Sequence, residues 1–162
     1  MYQPLAHIEM TEKSENRLSN PWVFDNADEQ MFSPNKQNSI GYGELIELAM
    51  GSPLAGECYW YDSNNRRHKI SSLCGGPPIW NPEGNMVAIP IWNRTLFKGT
   101  IQQLSVIDIV KSEWTLYKKT FRVLDLRSFR NKIISGYDSP IYDTTPLYFD
   151  LSREEIEKRK KI

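Results

Sequence analysis

Histidine and cysteine are scarce in this chain: its 162 residues include two of each, His7, His68, Cys58 and Cys74. Neither pair has the Cys-x-x-Cys or His-x-x-x-His spacing of a metal site, and neither histidine lies in a thiol-protease signature. The glycine-rich stretch 75–78 precedes a predicted strand and lacks the lysine of a phosphate-binding loop. We therefore expect a protein that is not an enzyme and that holds no metal or other cofactor.

Long apolar runs are also missing, and the first residues carry neither a basic cluster nor an apolar segment. The sequence thus predicts no secretory signal and no membrane-spanning segment. We expect a soluble protein in the cytoplasm, where Cys58 and Cys74 remain reduced thiols that fill gaps in the core. A disulfide between them is the alternative.

Net charge is zero, with 20 basic and 20 acidic residues, but it is unevenly distributed. Residues 1–60 carry nine acids and three bases, a net charge of −6, and the remaining residues carry +6. One interpretation is an acidic surface that attracts a basic partner. The other is two solvated surfaces whose charges segregate by chance. The balanced total is unlike that of a dedicated nucleic-acid-binding domain, so we expect no direct binding of nucleic acid.

Short alternating apolar segments, separated by turn residues, occupy most of the chain from Trp22 onward. Aromatic residues make up 12% of the sequence, which favours strands. The clearest predicted strands are 44–50, 57–62, 86–92, 103–109, 114–118, 121–126 and 147–151. The length suits one domain spanning 1–162, in which the polar residues 1–21, with two prolines, form a loose N-terminal segment.

An internal repeat indicates how these strands are arranged. Residues 32–38 align with residues 80–86 at an offset of 48, and the segment ending at Asp62 aligns with the one ending at Asp108 at an offset of 46. The second copy, in which Trp80 precedes Asn-Pro-Glu-Gly and an alternating strand, resembles a β-propeller blade. This resemblance implies two blade-like repeats, 30–75 and 78–125, forming two antiparallel sheets like an open half β-propeller. A β-sandwich is the alternative for this mostly-β fold.

The C-terminal residues 152–161 have the pattern of a helix. Ser152 and Glu155 form a capping box. Three Glu–Lys or Glu–Arg pairs at four-residue spacing follow, starting with Glu154 and Lys158. These features predict a short, solvated terminal helix.

A small, neutral, unexported, mostly-β chain with an acidic first part resembles the immunity proteins of contact-dependent growth inhibition systems, which are toxin/immunity pairs of bacteria. The resemblance implies a 1:1 complex with a cognate toxin domain, a basic nuclease and specifically an RNase, whose active site is blocked. Acidic residues would steer association and aromatic anchors would hold the complex. The predicted toxin-binding residues are Asp25, Asp28, Glu29, Glu44, Glu47, Glu57, Tyr59 and Tyr61.

Two other classes of function remain open. A scaffold or adaptor module that binds partners through its sheets would have a similar composition. An unrecognised hydrolase would bring His68 together with a cysteine and a carboxylate in the folded protein.

Overall fold

A computed structural model describes residues 19–162. This part of the chain is mostly β, as predicted, and contains a single turn of 3-10 helix at Glu29–Met31. The twelve strands are β1 (Ser39–Tyr42), β2 (Ile46–Glu47), β3 (Leu54–Tyr61), β4 (Arg67–Cys74), β5 (Ile79–Trp80), β6 (Met86–Thr95), β7 (Gly99–Asp108), β8 (Glu113–Phe121), β9 (Leu124–Arg130), β10 (Ile133–Asp138), β11 (Thr145–Asp150) and β12 (Ile156–Lys161).

Three antiparallel meanders follow one another along the chain. The first consists of β1, β3 and β4, the second of β6, β7 and β8, and the third of β9, β10 and β11. Strand β2 continues β1 along the same side of β3, and β5 pairs with β6. The two predicted repeats, 30–75 and 78–125, therefore each contain one three-stranded meander.

The entry turns of the first two meanders have the same hydrogen bonds. The Ser33 N–H donates to the carbonyl of Asn38 (2.9 Å), and the Asn81 N–H donates to the carbonyl of Met86 (3.0 Å). The Asn38 N–H donates to the Ser33 hydroxyl oxygen (3.1 Å), and the Met86 N–H donates to the Asn81 side-chain oxygen (3.0 Å). Corresponding residues are 48 positions apart, so the aligned sequences form equivalent turns.

The second meander is buried on both faces because its side chains alternate between two cores. Val87, Ile89 and Ile91 belong to one core with the inner faces of β1, β3 and β4, and Trp80 is buried in the same core. Ala88 belongs to the other core, which contains Leu104 and side chains of β9, β10 and β11. The three meanders thus pack as successive layers.

Two antiparallel sheets are present, as predicted, but the boundary between them is not where the repeats placed it. The first and second meanders belong to one nine-stranded sheet, joined by the single residue pair Cys74–Ile91. The second sheet is the third meander alone. The prediction that each repeat forms its own sheet is wrong, because the narrow pairing of β4 with β6 continues the ladder between them.

The predicted C-terminal helix 152–161 is also wrong. The Ser152 hydroxyl donates to the Asp150 carboxylate in a turn (2.6 Å), and β12 then pairs antiparallel with β8. The acids and bases that suggested helical pairs bind across strands instead: Glu155 pairs with Lys118 at 3.2 Å, and Glu113 pairs with Arg159 at 3.2 Å. Pairing with the open edge of β8 outweighs the local helix preference.

The predicted loose segment 1–21 lies largely outside the described residues, but its last three residues are ordered parts of the fold. Pro21 is buried, and its carbonyl accepts a hydrogen bond from the Leu54 N–H at 2.9 Å. Asn20 forms a bridge with Val23. The loose segment therefore does not extend to residue 21.

Candidate partner-binding surface

The outward face of the first meander carries the aromatic residues that the sequence singled out. Along β3, Cys58 and Trp60 point into the core, whereas Glu57, Tyr59 and Tyr61 point outward. Period-two alternation therefore places these three predicted residues on one face, as expected for a strand. We call this the tyrosine face; it consists of Gly41, Glu57, Tyr59, Tyr61, Arg67 and Lys69.

Glycines in and after β1 shape the tyrosine face. Gly41 pairs with Tyr59, and a Cβ atom added to Gly41 would lie 2.8 Å from the ring of Tyr61. A Cβ added to Gly43 would lie 3.6 Å from the Cβ of Glu57. Because no side chain projects from Gly41, the Tyr61 ring packs against the backbone of β1. The face is consequently low in relief and exposes aromatic surface.

Charges on the tyrosine face are mixed rather than acidic. The Glu57 carboxylate accepts a hydrogen bond from the Tyr59 hydroxyl at 2.5 Å and lies 3.5 Å from the Lys69 amine. The Tyr59 hydrogen bond and then the Lys69 charge lower the pKa of Glu57, and the same hydrogen bond raises the pKa of Tyr59. The Arg67 guanidinium lies 4.6 Å from the centre of the Tyr59 ring. Glu57 is therefore already engaged by neighbours on its own face.

Glu44 and Glu47 lie beside this face and are exposed to solvent. The backbone carbonyl of Glu44 lies against Gly56, the residue before Glu57. A Cβ atom added to Gly56 would lie 2.7 Å from this carbonyl oxygen. Glu47 pairs with Leu54 in the β2–β3 ladder, and its carboxylate accepts a hydrogen bond from the Gly51 N–H at 3.2 Å. Glu44 thus lies beside Glu57, whereas Glu47 is paired with Leu54, which packs against the core rather than on the outward face of β3.

Asp25, Asp28 and Glu29 lie in a different place, along the outer edge of β1. The Asn26 side chain bonds to both the N–H and the carbonyl of Tyr42, which fixes this segment to the strand edge. The Asp28 carboxylate accepts hydrogen bonds from the Asp25 N–H at 2.9 Å and from the Ser19 hydroxyl, and Glu29 pairs with Lys36 at 3.6 Å. These acids do not join the tyrosines in one patch.

His68 and Asp62 form a hydrogen-bonded pair at the turn of the β3–β4 hairpin. The His68 Nε2 atom lies 2.9 Å from the Asp62 carboxylate, and the imidazole stacks on Trp60 at 4.7 Å. The same carboxylate accepts the N–H groups of Asn64 and Arg66, each at 2.9 Å. The His68 hydrogen bond and then the Arg66 N–H lower the pKa of Asp62. Turn capping therefore accounts for Asp62.

Cys58 and Cys74 are free thiols in the core. Burial, followed by the neighbouring Cys58, raises the pKa of the Cys74 thiol well above its usual value. The hydrolase alternative would bring His68 together with a cysteine and a carboxylate. The contacts of the His68 ring are with the Asp62 carboxylate and the Trp60 indole. Among residues 19–162, no three His, Cys, Asp or Glu side chains are grouped in a way that could hold a metal ion. Over the same range, no helix has the length and apolar character needed to cross a membrane.

A second surface, which the sequence did not suggest, is a groove of about 480 Å³ between the loop after β2, strands β6 and β7, and the β8–β9 turn. We call it the basic groove and define it by Trp92, Arg94, Lys98, Ile101, Arg122 and Val123. Its residues come from separate parts of the chain. No local pattern could therefore have revealed it.

Comparison with known proteins identifies no relative of this chain. No protein-family model matches it, and neither a curated protein nor a solved structure does.

Proposed function

We propose that this protein binds and neutralises a cognate nuclease toxin, an RNase, in a 1:1 complex that blocks the active site of the toxin. The observation that carries the proposal is the tyrosine face, where two half-buried tyrosines lie on the strand that also carries Glu57, with the exposed Glu44 beside it and the exposed Glu47 on the adjoining strand β2. The protein acts in the cytoplasm, where such a toxin meets its substrate.

Tyr59 and Tyr61 suit the role of anchors in this complex. Tyrosine offers a large rigid contact area and a polar hydroxyl, and it is enriched among the residues that dominate binding energy. The Tyr59 ring is held by the Glu57 hydrogen bond and by Arg67. A side chain that is already fixed loses less conformational entropy on binding than a free one.

Glu44 and Glu47 supply the long-range attraction to the toxin. Nucleases that grip phosphates carry basic surfaces, and exposed carboxylates raise the rate of encounter with such surfaces. Glu57 contributes less to this attraction because Lys69 lies 3.5 Å from its carboxylate. Asp25, Asp28 and Glu29 lie along the edge of β1, apart from the tyrosines, and add to the long-range attraction rather than to the contact at the tyrosine face.

An open half-propeller is the architecture that we propose for this binding module. The equivalent turns 33–38 and 81–86, and the layered packing of successive meanders, support this relation. In this arrangement the first meander is an end layer, and its outward face is available to a partner.

The proposal predicts that charge reversal beside the tyrosine face slows association. Glu44→Lys with Glu47→Lys should reduce the on-rate for the nuclease domain encoded beside the gene of this protein by at least tenfold at low salt. Much of this loss should disappear at high salt, because screening shortens the range of the attraction. Surface plasmon resonance at two salt concentrations measures the effect, and survival of cells that express the nuclease measures protection.

Glu83→Lys with Asp143→Lys is the matched control, because it makes the same change in net charge at exposed positions away from the tyrosine face. An equal loss in both double variants would contradict the assignment of this face. A tight complex in which the nuclease stays active would indicate a scaffold or adaptor instead of an inhibitor.

A further inference from the structure

The basic groove combines three cationic side chains with an apolar floor. Arg94, Lys98 and Arg122 are exposed at its rim, and no carboxylate is among its lining residues in the described chain. None of the three forms an ion pair with another residue of 19–162. The rim of the groove thus carries three cations without an ion pair in the described chain, while the Asp138 carboxylate accepts hydrogen bonds from the backbone N–H groups of Arg122 and Val123, each at 3.0 Å.

The floor of the groove is built from Trp92 and Ile101, which are buried, together with the half-buried Val123. The Trp22 indole donates to the Gly51 carbonyl at 3.0 Å and ties down the loop that forms one wall. This hydrogen bond joins parts of the chain that are 29 residues apart. It holds the loop in place and so helps to maintain the shape of the groove.

A smaller cleft of about 100 Å³ continues the basic groove, because Arg122 and Val123 line both. Its other walls include Trp22, Ile141 and Tyr142. The combined depression can accept an extended segment that places side chains into both parts.

Apolar side chains stand fully in solvent next to the cations. Leu96 and Phe97, at the tip of the β6–β7 hairpin between Arg94 and Lys98, are 96% and 97% exposed. Ile141 is 58% exposed at the other end of the depression. Exposed apolar groups concentrated at one site indicate a surface that another macromolecule covers.

We propose that the basic groove binds an extended acidic segment of a partner protein. Carboxylates of the segment pair with Arg94, Lys98 and Arg122, and an apolar side chain of the segment enters the floor over Trp92. Leu96 and Phe97 close over the bound segment. This site goes beyond the proposed function, since its charge is opposite to that of the acids that would meet a basic nuclease.

A protein segment fits this surface better than single-stranded nucleic acid. Bases stack on exposed aromatic faces; Phe97 and Tyr142 are exposed at the two ends of the depression, but Trp92 on its floor is only 7% exposed. Leu96 and Ile141 are aliphatic and offer no stacking surface. Aliphatic side chains beside arginines suit an acidic peptide with apolar residues.

Binding of three fluorescent probes to the full chain tests the proposal: the peptide Asp-Glu-Leu-Asp-Glu-Phe-Asp-Glu-Leu, its Asn/Gln counterpart, and a twelve-residue oligouridine. The acidic peptide should bind in fluorescence anisotropy, and its affinity should fall with salt. Arg94→Glu with Arg122→Glu should weaken binding at least tenfold. Arg130→Glu with Lys158→Glu, which makes the same charge change at exposed sites outside the groove, should change it less than twofold.

Three results would overturn the proposal: no binding of the acidic peptide, equal binding of its neutral counterpart, or tighter binding of the oligouridine. Thermal melts establish that the charge variants fold, and Arg94→Gln with Arg122→Gln replaces them if they do not. Leu96→Ser with Phe97→Ser should weaken the peptide as well, which separates a docking surface from charge attraction alone. Loss of toxin binding in the Glu44 and Glu47 variants would not affect these results.

Discussion

Two buried tryptophans provide a matched test of packing at the scale of single residues. The Trp60 indole donates to the Asn38 side-chain oxygen at 3.0 Å, whereas the indole nitrogen of the buried Trp80 has no hydrogen-bond partner in the described chain. Trp60→Phe should therefore cost about 1–3 kcal/mol more than Trp80→Phe, because it leaves a buried acceptor unpaired. Urea denaturation measures both free energies of unfolding, and equal losses would show that the Asn38 bond contributes nothing.

Single residues also show what sequence patterns can and cannot reveal. The common face of Glu57, Tyr59 and Tyr61 was predictable, because a strand alternates regardless of the rest of the fold. The engagement of Glu57 by Lys69 was not, since it depends on the register between β3 and β4. The acids of residues 25–29 were grouped with the tyrosines by charge alone, and the chain path separates them.

At the scale of elements, the bulge between β9 and β10 depends on Gly136. The register shifts between Ser135 and Gly136, and an added Cβ would lie 2.0 Å from the backbone carbonyl of Asp125. Gly136→Ala should therefore destabilise the fold by about 1–3 kcal/mol or more, as overpacking does. Gly43→Ala is the control, because its Cβ has room at 3.6 Å; equal thermal stability of the two variants would contradict this explanation.

Strand β12 illustrates why local patterns failed at the C-terminus. Its alternating acids and bases satisfy helical spacing and cross-strand spacing equally well. The choice is made by the open edge of β8, which no local window contains.

The whole molecule should lose stability in acid over a defined range. The pKa values of Glu57, Asp62 and Asp150 are lowered by the hydrogen bonds of Tyr59, His68 and Ser152 respectively. Folding therefore favours their ionised forms, a contribution that is complete above their ordinary pKa values of 4.5 for Glu and 3.8 for Asp and is lost as pH falls through the lowered values.

The urea concentration at the midpoint of unfolding should accordingly decrease as the pH is lowered below about 4.5. Asp62→Asn should make this midpoint less dependent on pH. Glu83→Gln, in an exposed turn, serves as the control. An Asp62→Asn variant with the pH profile of the parent chain would show that the His68 bond does not couple to folding.

Across residues 19–162, each of the two predicted repeats contains one three-stranded meander, but the repeat did not predict how the two meanders are connected. The turns are encoded locally by Ser33 and Asn81, so an alignment detects them. The pairing of Cys74 with Ile91 joins the meanders into one sheet, and the basic groove is assembled from segments far apart in sequence. Both depend on how layers stack, which a linear pattern does not specify.

The position of β12 in the order of strands has a consequence for synthesis on the ribosome. Strand β8 ends at Phe121, but its partner begins only at Ile156, after the entire third meander. At about 5–20 residues per second, the intervening chain takes on the order of two to seven seconds to emerge. During that interval the nascent chain carries an unpaired strand edge in its middle layer, the kind of edge on which aggregation begins. The pairing of β12 with β8 is thus a late step that follows synthesis of the third meander. A chaperone that shields the edge of β8 would act before this step.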